Sequence, residues 1–336
     1  MQTSLSAARH RRSAPSKPWL LAGALVLGLL ALSSLGIGAT NVSVWSVLTG
    51  GADATTTQVL LISRIPRTLA LVLSGVAMAV AGALMQMLAR NRFVEPSTAG
   101  TVESATLGLL AVALLAPELP PFGKMLVAAG FALAGTALFL AILRRLPLHA
   151  ALVVPLVGLV LGGVIQSVTT FFAYRFDLLQ SVHAWTTADF SGVLQGRYEL
   201  LWIAGGLALV AYVAADRFTA AGLGEHFARN IGVDHRQLLR LGLLIVALVT
   251  AAVVVTAGVV PFLGLIVPNV VSLLMGDNLR RTLPWIALAG AAFVLACDIV
   301  GRLLLHPYEV PIGTVVGIVG SAIFLALLLR GRSHRP

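Results

Sequence analysis

Three short patterns carry nearly all the chemistry this chain could do. The first is Arg64-Ile65-Pro66-Arg67-Thr68. A guanidinium presents a rigid fork of donors that matches a carboxylate bidentately, and Pro66 suits the first turn of a helix. The two arginines either anchor a helix end by snorkelling to the membrane interface or form a cationic patch for carboxylates on a soluble protein docking from outside. The second pattern is Asp298 with Arg302 four residues on, which share one face of a helix. Here the readings are a structural ion pair near a span end and an arginine turned toward an external partner. The third is the polar stretch Ala221–Arg240, set between long apolar segments. Leu223, Phe227 and Ile231 recur at four-residue spacing and Leu238, Leu239 and Leu241 follow, so it reads as two short helices joined at Gly232. Such a stretch suits a docking surface for a soluble partner.

Covalent chemistry has no foothold. There is no Walker A sequence, no HExxH, no GxSxG and no metal-spaced Cys/His pair. The seven histidines are scattered (His10, His149, His183, His226, His235, His306, His334), and one cysteine, Cys297, excludes an intrachain disulfide. The expectation is a protein that is not an enzyme and has no cofactor or metal. Any energy from ATP must enter through another chain.

These residues need a scaffold, and composition says which. Of 336 residues, 58% are hydrophobic and only 11% charged, with mean hydropathy +0.95. Soluble domains carry about 25% charged residues, so the fold class is an all-α polytopic membrane protein. The net charge of +10 fits basic residues retained in cytoplasmic loops better than nucleic-acid binding. The run after Arg9, Arg11, Arg12 and Lys17 exceeds a signal-peptide core and lacks a convincing cleavage site, so it reads as a retained first span. At about 20 apolar residues per crossing, spans fall at about 18–38, 66–89, 98–116, 124–143, 150–172, 199–216, 241–260, 262–276, 283–304 and 311–329. Residues 39–63 read as an external loop, 117–123 as a tight turn, and 173–198 as an external amphipathic segment.

The interval 241–276 holds no charge and is interrupted by Gly258, Pro261, Gly264 and Pro268. It reads as one full span and one short one. The short helix, about 22 Å long, must be shielded by protein at one end because bare backbone in lipid is costly. Ten spans with a cytoplasmic N-terminus put 17 of the 23 lysines and arginines inside. A single crossing at 241–276 nearly equalises the two sides, so charge favours ten spans and two cytoplasmic termini. The chain then divides into a basic tail (1–17), a transmembrane body (18–330) with its polar segment at 221–239, and a short tail (331–336). Gly158–Gly162 and Gly313–Gly317 have the small-xxx-small spacing of close helix contacts.

From about residue 19 to 332 the chain resembles the FecCD-family permeases, membrane subunits of ABC importers for iron–siderophores, haem and vitamin B12. The marks are RIPRTLALVLSGVAMAVAGALMQ (64–86), RNRFVEPSTAGT (90–101), LGEHFARNIGV (223–233), PFLGLIVPNVVSLLMGDNLRR (261–281) and CDIVGRLLLHPYEVPIGTVVGIVG (297–320). The resemblance implies a ten-span fold and partners: ABC ATPase subunits, a second permease and an extracytoplasmic substrate-binding protein. It matches Leu223, Gly224, Glu225, Ala228, Arg229 and Gly232 to the coupling segment that enters a groove on the ATPase. It matches Arg64, Arg67 and Arg302 to arginines that face acidic residues on the binding protein. NRFVEPSTAGT departs from the commoner asparagine–proline form and, with DFSGVLQGRYE (189–199), looks like permeases for catecholate-type siderophores, which pair with a different permease. The rival class is a secondary transporter driven by an ion gradient, which needs buried ionisable groups near mid-membrane; nearly all charges here sit at span ends.

Overall fold

The computed structural model describes residues 17–37, 54–145, 153–222 and 234–332. Its regular elements are α1 (Lys17–Gly36), α2 (Ala54–Val59), a π-turn (Leu60–Arg64), α3 (Ile65–Leu88), α4 (Thr101–Leu115), α5 (Pro121–Leu143), α6 (Val153–Arg175), α7 (Leu179–Thr186), α8 (Leu200–Val213), α9 (Ala215–Gly222), α10 (His235–Ala257), α11 (Leu263–Met275), α12 (Leu279–Leu304) and α13 (Ile312–Arg332). Seven of these stretches are long and apolar enough to cross a membrane, and α4, α8 and α11 are shorter apolar helices. Together they fall at the ten positions expected from the sequence.

Two boundaries differ from expectation. The second span does not begin at Pro66: α2, the π-turn and α3 form one continuous stretch, Ala54–Leu88. Proline normally forbids this, because it lacks an N–H and its ring collides with the carbonyl four residues back. The wider π-turn makes room at that point, and the orphaned carbonyl of Ile62 accepts from the Gln195 N–H at 2.9 Å. The second difference concerns the polar stretch. His235–Arg240 is not a separate short helix but the start of α10, where the Asp234 side chain accepts from the N–H groups of Arg236 and Gln237. Ala221 and Gly222 end α9.

The α2–α3 stretch is the axis of the fold: 78% of an 18-residue apolar run within it is buried, against 6% in α1 and 22% each in α6 and α13, which lie at the periphery. Around α3 pack α8, α10, α11 and α12. Apolar burial drives no association between helices in lipid, so close packing must. The close contacts are glycine on glycine. A Cβ at Gly82 would stand 2.1 Å from the Gly264 carbonyl oxygen, and one at Gly75 would stand 2.7 Å from that of Gly290. Gly158 likewise lies against the backbone of Thr98, as its spacing foretold, and Gly313 against Ala188. Since backbone meets backbone at Gly82, Gly82→Val forces α3 and α11 apart. We expect a loss of at least about 1–3 kcal/mol, read as a lower midpoint of thermal unfolding in detergent; an unchanged midpoint would refute the contact.

The short helix α11 is shielded as expected. Before it the chain is non-helical, with positive φ at Gly258 (88°) and Phe262 (60°). The segment after α3 meets it there. The Glu95 carboxylate, 1% exposed, accepts from the Phe262 N–H at 3.0 Å and from Ser97 Oγ at 2.5 Å. Farther along, Asn269 Nδ2 donates to the Arg92 carbonyl (2.7 Å), and Arg92 pairs with Asp277 (2.8 Å) just past the helix. Pro268 leaves the Gly264 carbonyl without its helical donor, and Gln86 Nε2 supplies one at 3.3 Å. Residues 91–98 thus bracket α11 from one end to the other, which is what non-helical backbone at membrane depth requires.

Candidate functional site

At the Arg64 end of the bundle the three arginines singled out above converge. Arg302 lies one turn after Asp298 on α12 and pairs with it. Arg67, on the first turn of α3, reaches the other carboxylate oxygen of Asp298 at 2.8 Å. Arg302 Nη1 also donates to the backbone carbonyls of Ser34 (2.9 Å), in the last turn of α1, and Ile37 (2.7 Å), just past it, and Arg302 Nη2 donates to Ser34 Oγ at 2.5 Å. Arg64 donates to the same Ile37 carbonyl. The second Nη of Arg67 reaches Glu309 at 2.7 Å, on the turn between α12 and α13.

Asp298 is 2% exposed, Arg302 3% and Arg64 7%. A lone charge this buried would be prohibitive; a carboxylate shared by two guanidiniums is tolerable, with the Ser34 and Ile37 carbonyls, Ser34 Oγ and Glu309 taking further Nη donors, while the Nε of Arg67 and of Arg302 find no acceptor among the described residues. The cluster therefore ties α1, α3 and α12 together. Of the two readings of Asp298–Arg302, the structural pair is present: Arg302 places its donors on Asp298, Ser34 and the Ile37 carbonyl. The i,i+4 pair was visible in sequence. The contacts to Ser34, Arg67 and Glu309 were not, because they join distant segments.

Leu223, Gly224, Glu225, Ala228, Arg229 and Gly232 lie outside the described residues. What is described is the structure that flanks them. Between the ends of α3, α5, α6 and α10 opens a cavity of about 880 Å³ with Arg90, Arg92, Arg144, His235 and Arg236 among its lining residues. It lies beside the start of α10 and the loop that brackets α11.

Along the side of the bundle, α6 exposes Gly163, Ser167, Thr170 and Tyr174 on one face, with Gln166 half-buried beside them. Ser167 returns its hydroxyl to the Gly163 carbonyl at 2.8 Å. On the buried side of α6, Gly162 lets Glu103 of α4 approach, and Glu103 Oε2 is buried with no hydrogen-bond partner among the described residues. Sequence reading had passed over Glu95, Glu103 and Glu309. Among the described residues no group of three or more His, Cys, Asp or Glu could hold a metal.

Comparison with known proteins agrees with this architecture. The chain matches the FecCD transport family over residues 24–330. It is 46% identical to the petrobactin import system permease protein YclN of Bacillus subtilis, over 92% of this chain and 98% of that protein. It is 38% identical to the ferric-anguibactin transport system permease protein FatD of Vibrio anguillarum, over 90% and 96%. A metal-chelate type ABC transporter solved in an inward-facing conformation superposes with a TM-score of 0.78 at 24% identity, covering 94% of this chain and 100% of that one, a likeness of fold. With ten apolar helices at the expected places and a match along nearly its whole length, the chain belongs to the FecCD transport family.

Proposed function

We propose that this multi-pass membrane protein is the permease of an ATP-driven importer for a ferric siderophore of catecholate type, and that it forms the pathway jointly with a second, different permease. As a FecCD-family transport subunit it works with separate ATPase subunits and a substrate-binding protein and does no covalent chemistry itself. Siderophore permeases are its relatives at 46% and 38% identity, which supports the substrate class. No relative found supports a carrier driven by an ion gradient.

The observation that carries the shared pathway is the polar face of α6. Gly163, Ser167 and Thr170 set small and hydroxyl side chains among the exposed Leu156, Leu159, Val160 and Phe171, and Ser167 satisfies its own donor on the Gly163 carbonyl. Small and hydroxyl residues of this kind are enriched where membrane helices meet, so this face suits a partner permease or a path between the two. A large chelate passing there is served by many weak hydroxyl contacts and no strong ligand.

The remaining assignments belong to the same reading. The Arg64 end faces outside, where Arg64, Arg67 and Arg302 receive carboxylates of the binding protein. The Arg90 end and both termini face the cytoplasm of a bacterial cell, the tails at 1–17 and 331–336 flanking the body at 18–330. The segment 221–239 couples to the ATPase through Leu223, Gly224, Glu225, Ala228, Arg229 and Gly232. Movement of that segment acts directly on the start of α10 and on the adjoining loop that brackets α11.

The test is uptake of a ferric catecholate into proteoliposomes holding this chain, its ATPase and a partner permease, with binding protein outside and ATP inside. Uptake that requires ATP and both permeases is expected. Ser167→Trp should lower uptake at least tenfold while leaving ATPase activity stimulated by loaded binding protein. Uptake that persists without ATP, or that Ser167→Trp leaves unchanged, would overturn the reading.

A further inference from the structure

The five charged side chains of the arginine cluster are not equally committed. Asp298 is almost wholly buried and serves two guanidiniums at once. Glu309 serves one, Arg67, and its side chain is 28% exposed against 12% for Arg67. Its turn projects past the end of α12, held by the Val310 N–H to the Gly301 carbonyl at 3.1 Å. It also exposes Leu305 (61%) and Tyr308 (78%). An exposed tyrosine on the turn that carries the partner of Arg67 is of a residue type enriched in protein–protein contacts.

Three arginines stand against two carboxylates, so the cluster keeps a positive balance even when Glu309 is paired. Asp298 cannot be exchanged for an external group without stranding buried charge. Glu309 can, because its pair with Arg67 lies at the surface, where such pairs contribute little. We propose that the Leu305–Val310 turn is part of the docking surface, and that Glu309 holds the position a carboxylate of the binding protein takes when it docks. Docking then exchanges one carboxylate on Arg67 for another. The guanidinium is kept oriented and never left bare, and the turn is released to present Tyr308. Glu309 is thus an internal competitor that weakens docking and speeds release of the emptied binding protein. This rests on the docking role proposed above for the three arginines.

The experiment measures binding-protein affinity for the assembled importer in nanodiscs, by biolayer interferometry at low ionic strength. Glu309→Gln should tighten binding about three- to fivefold, mainly through slower dissociation. Glu118→Gln serves as the control. It removes the same charge from an exposed residue between α4 and α5, outside the cluster, and should change affinity less than twofold. Equal tightening in both variants would reduce the effect to general electrostatics and overturn the exchange, as would unchanged or weaker binding in Glu309→Gln. A second arm separates this proposal from the docking reading without risk to the permease fold. Binding protein with its docking carboxylates changed to amides should bind the wild-type importer at least tenfold more weakly and no longer distinguish Glu309→Gln. If it binds as tightly as unmodified protein, the arginine–carboxylate docking itself fails. If it loses affinity while Glu309→Gln gains none, only the exchange fails.

Discussion

Replacing Asp298 by asparagine is expected to lower the stability of the folded permease by about 3–5 kcal/mol, the cost of removing one partner from a buried ion pair. The side chain is 2% exposed and is the one carboxylate contacting both Arg67 and Arg302. The amide can still accept a hydrogen bond but leaves two guanidiniums facing each other with Glu309 alone to compensate, at the edge of the cluster. Because Arg302 also holds Ser34 and the Ile37 carbonyl, the damage should spread to α1, which has little other buried contact. The readouts are the midpoint of thermal unfolding in detergent and the monodisperse yield. Glu309→Gln should change stability by less than about 1 kcal/mol, the range for exposed pairs. Adding Arg302→Gln to Asp298→Asn should recover part of the loss, since it removes one stranded charge, and a double-mutant cycle would measure the coupling. Wild-type stability in Asp298→Asn would mean that the arginines are solvated and that the cluster holds nothing together.

Much of this protein is legible in its sequence, and the boundary of legibility follows contact distance along the chain. Span positions are legible because crossing a bilayer imposes length and composition on each helix separately. The start of the second span is the exception. Pro66 is a strong local signal to begin a helix, and the donor that lets the helix run through it, the Gln195 N–H, comes from a remote segment. The same holds for Pro268, whose orphaned carbonyl is met by Gln86. Arg64, Arg67 and Arg302 are conspicuous because charge in an apolar chain is conspicuous. Their union around Asp298 is not, since Arg67 and Asp298 are 231 positions apart and Arg67 and Glu309 are 242 apart. Glu95 shows the rule most clearly. Its contact with the short turn after it is local; its bond to Phe262 spans 167 positions. The requirement for a shield over the short span was deducible from backbone physics, but the identity of the shielding residue was not.

That residue carries the second large effect. Glu95→Ala should cut ATP-driven uptake at least tenfold while leaving helix content and membrane insertion intact. Its carboxylate lies where two non-helical segments meet, one leading from α3 into α4 and the other from α10 into α11. Removing it strips acceptors from the Phe262 N–H and the Ser97 hydroxyl, and each buried donor left unsatisfied costs about 1–3 kcal/mol. Gly82 and Gly264 still lock α3 to α11, and Asn269 still holds the Arg92 carbonyl, so the bundle should assemble. What fails is the fixed relation between the bracketing loop and the start of α11. Under the mechanism proposed here, that relation carries a displacement from the ATPase side into the membrane. The expected signature is ATP hydrolysis that continues, less responsive to loaded binding protein, with little transport. Glu95→Gln keeps the shape and an acceptor oxygen and should retain more uptake than Glu95→Ala. If Glu95→Ala lost hydrolysis and transport together in step with unfolding, the carboxylate would be only a structural cap. If it kept wild-type uptake, the bracket would play no part in coupling.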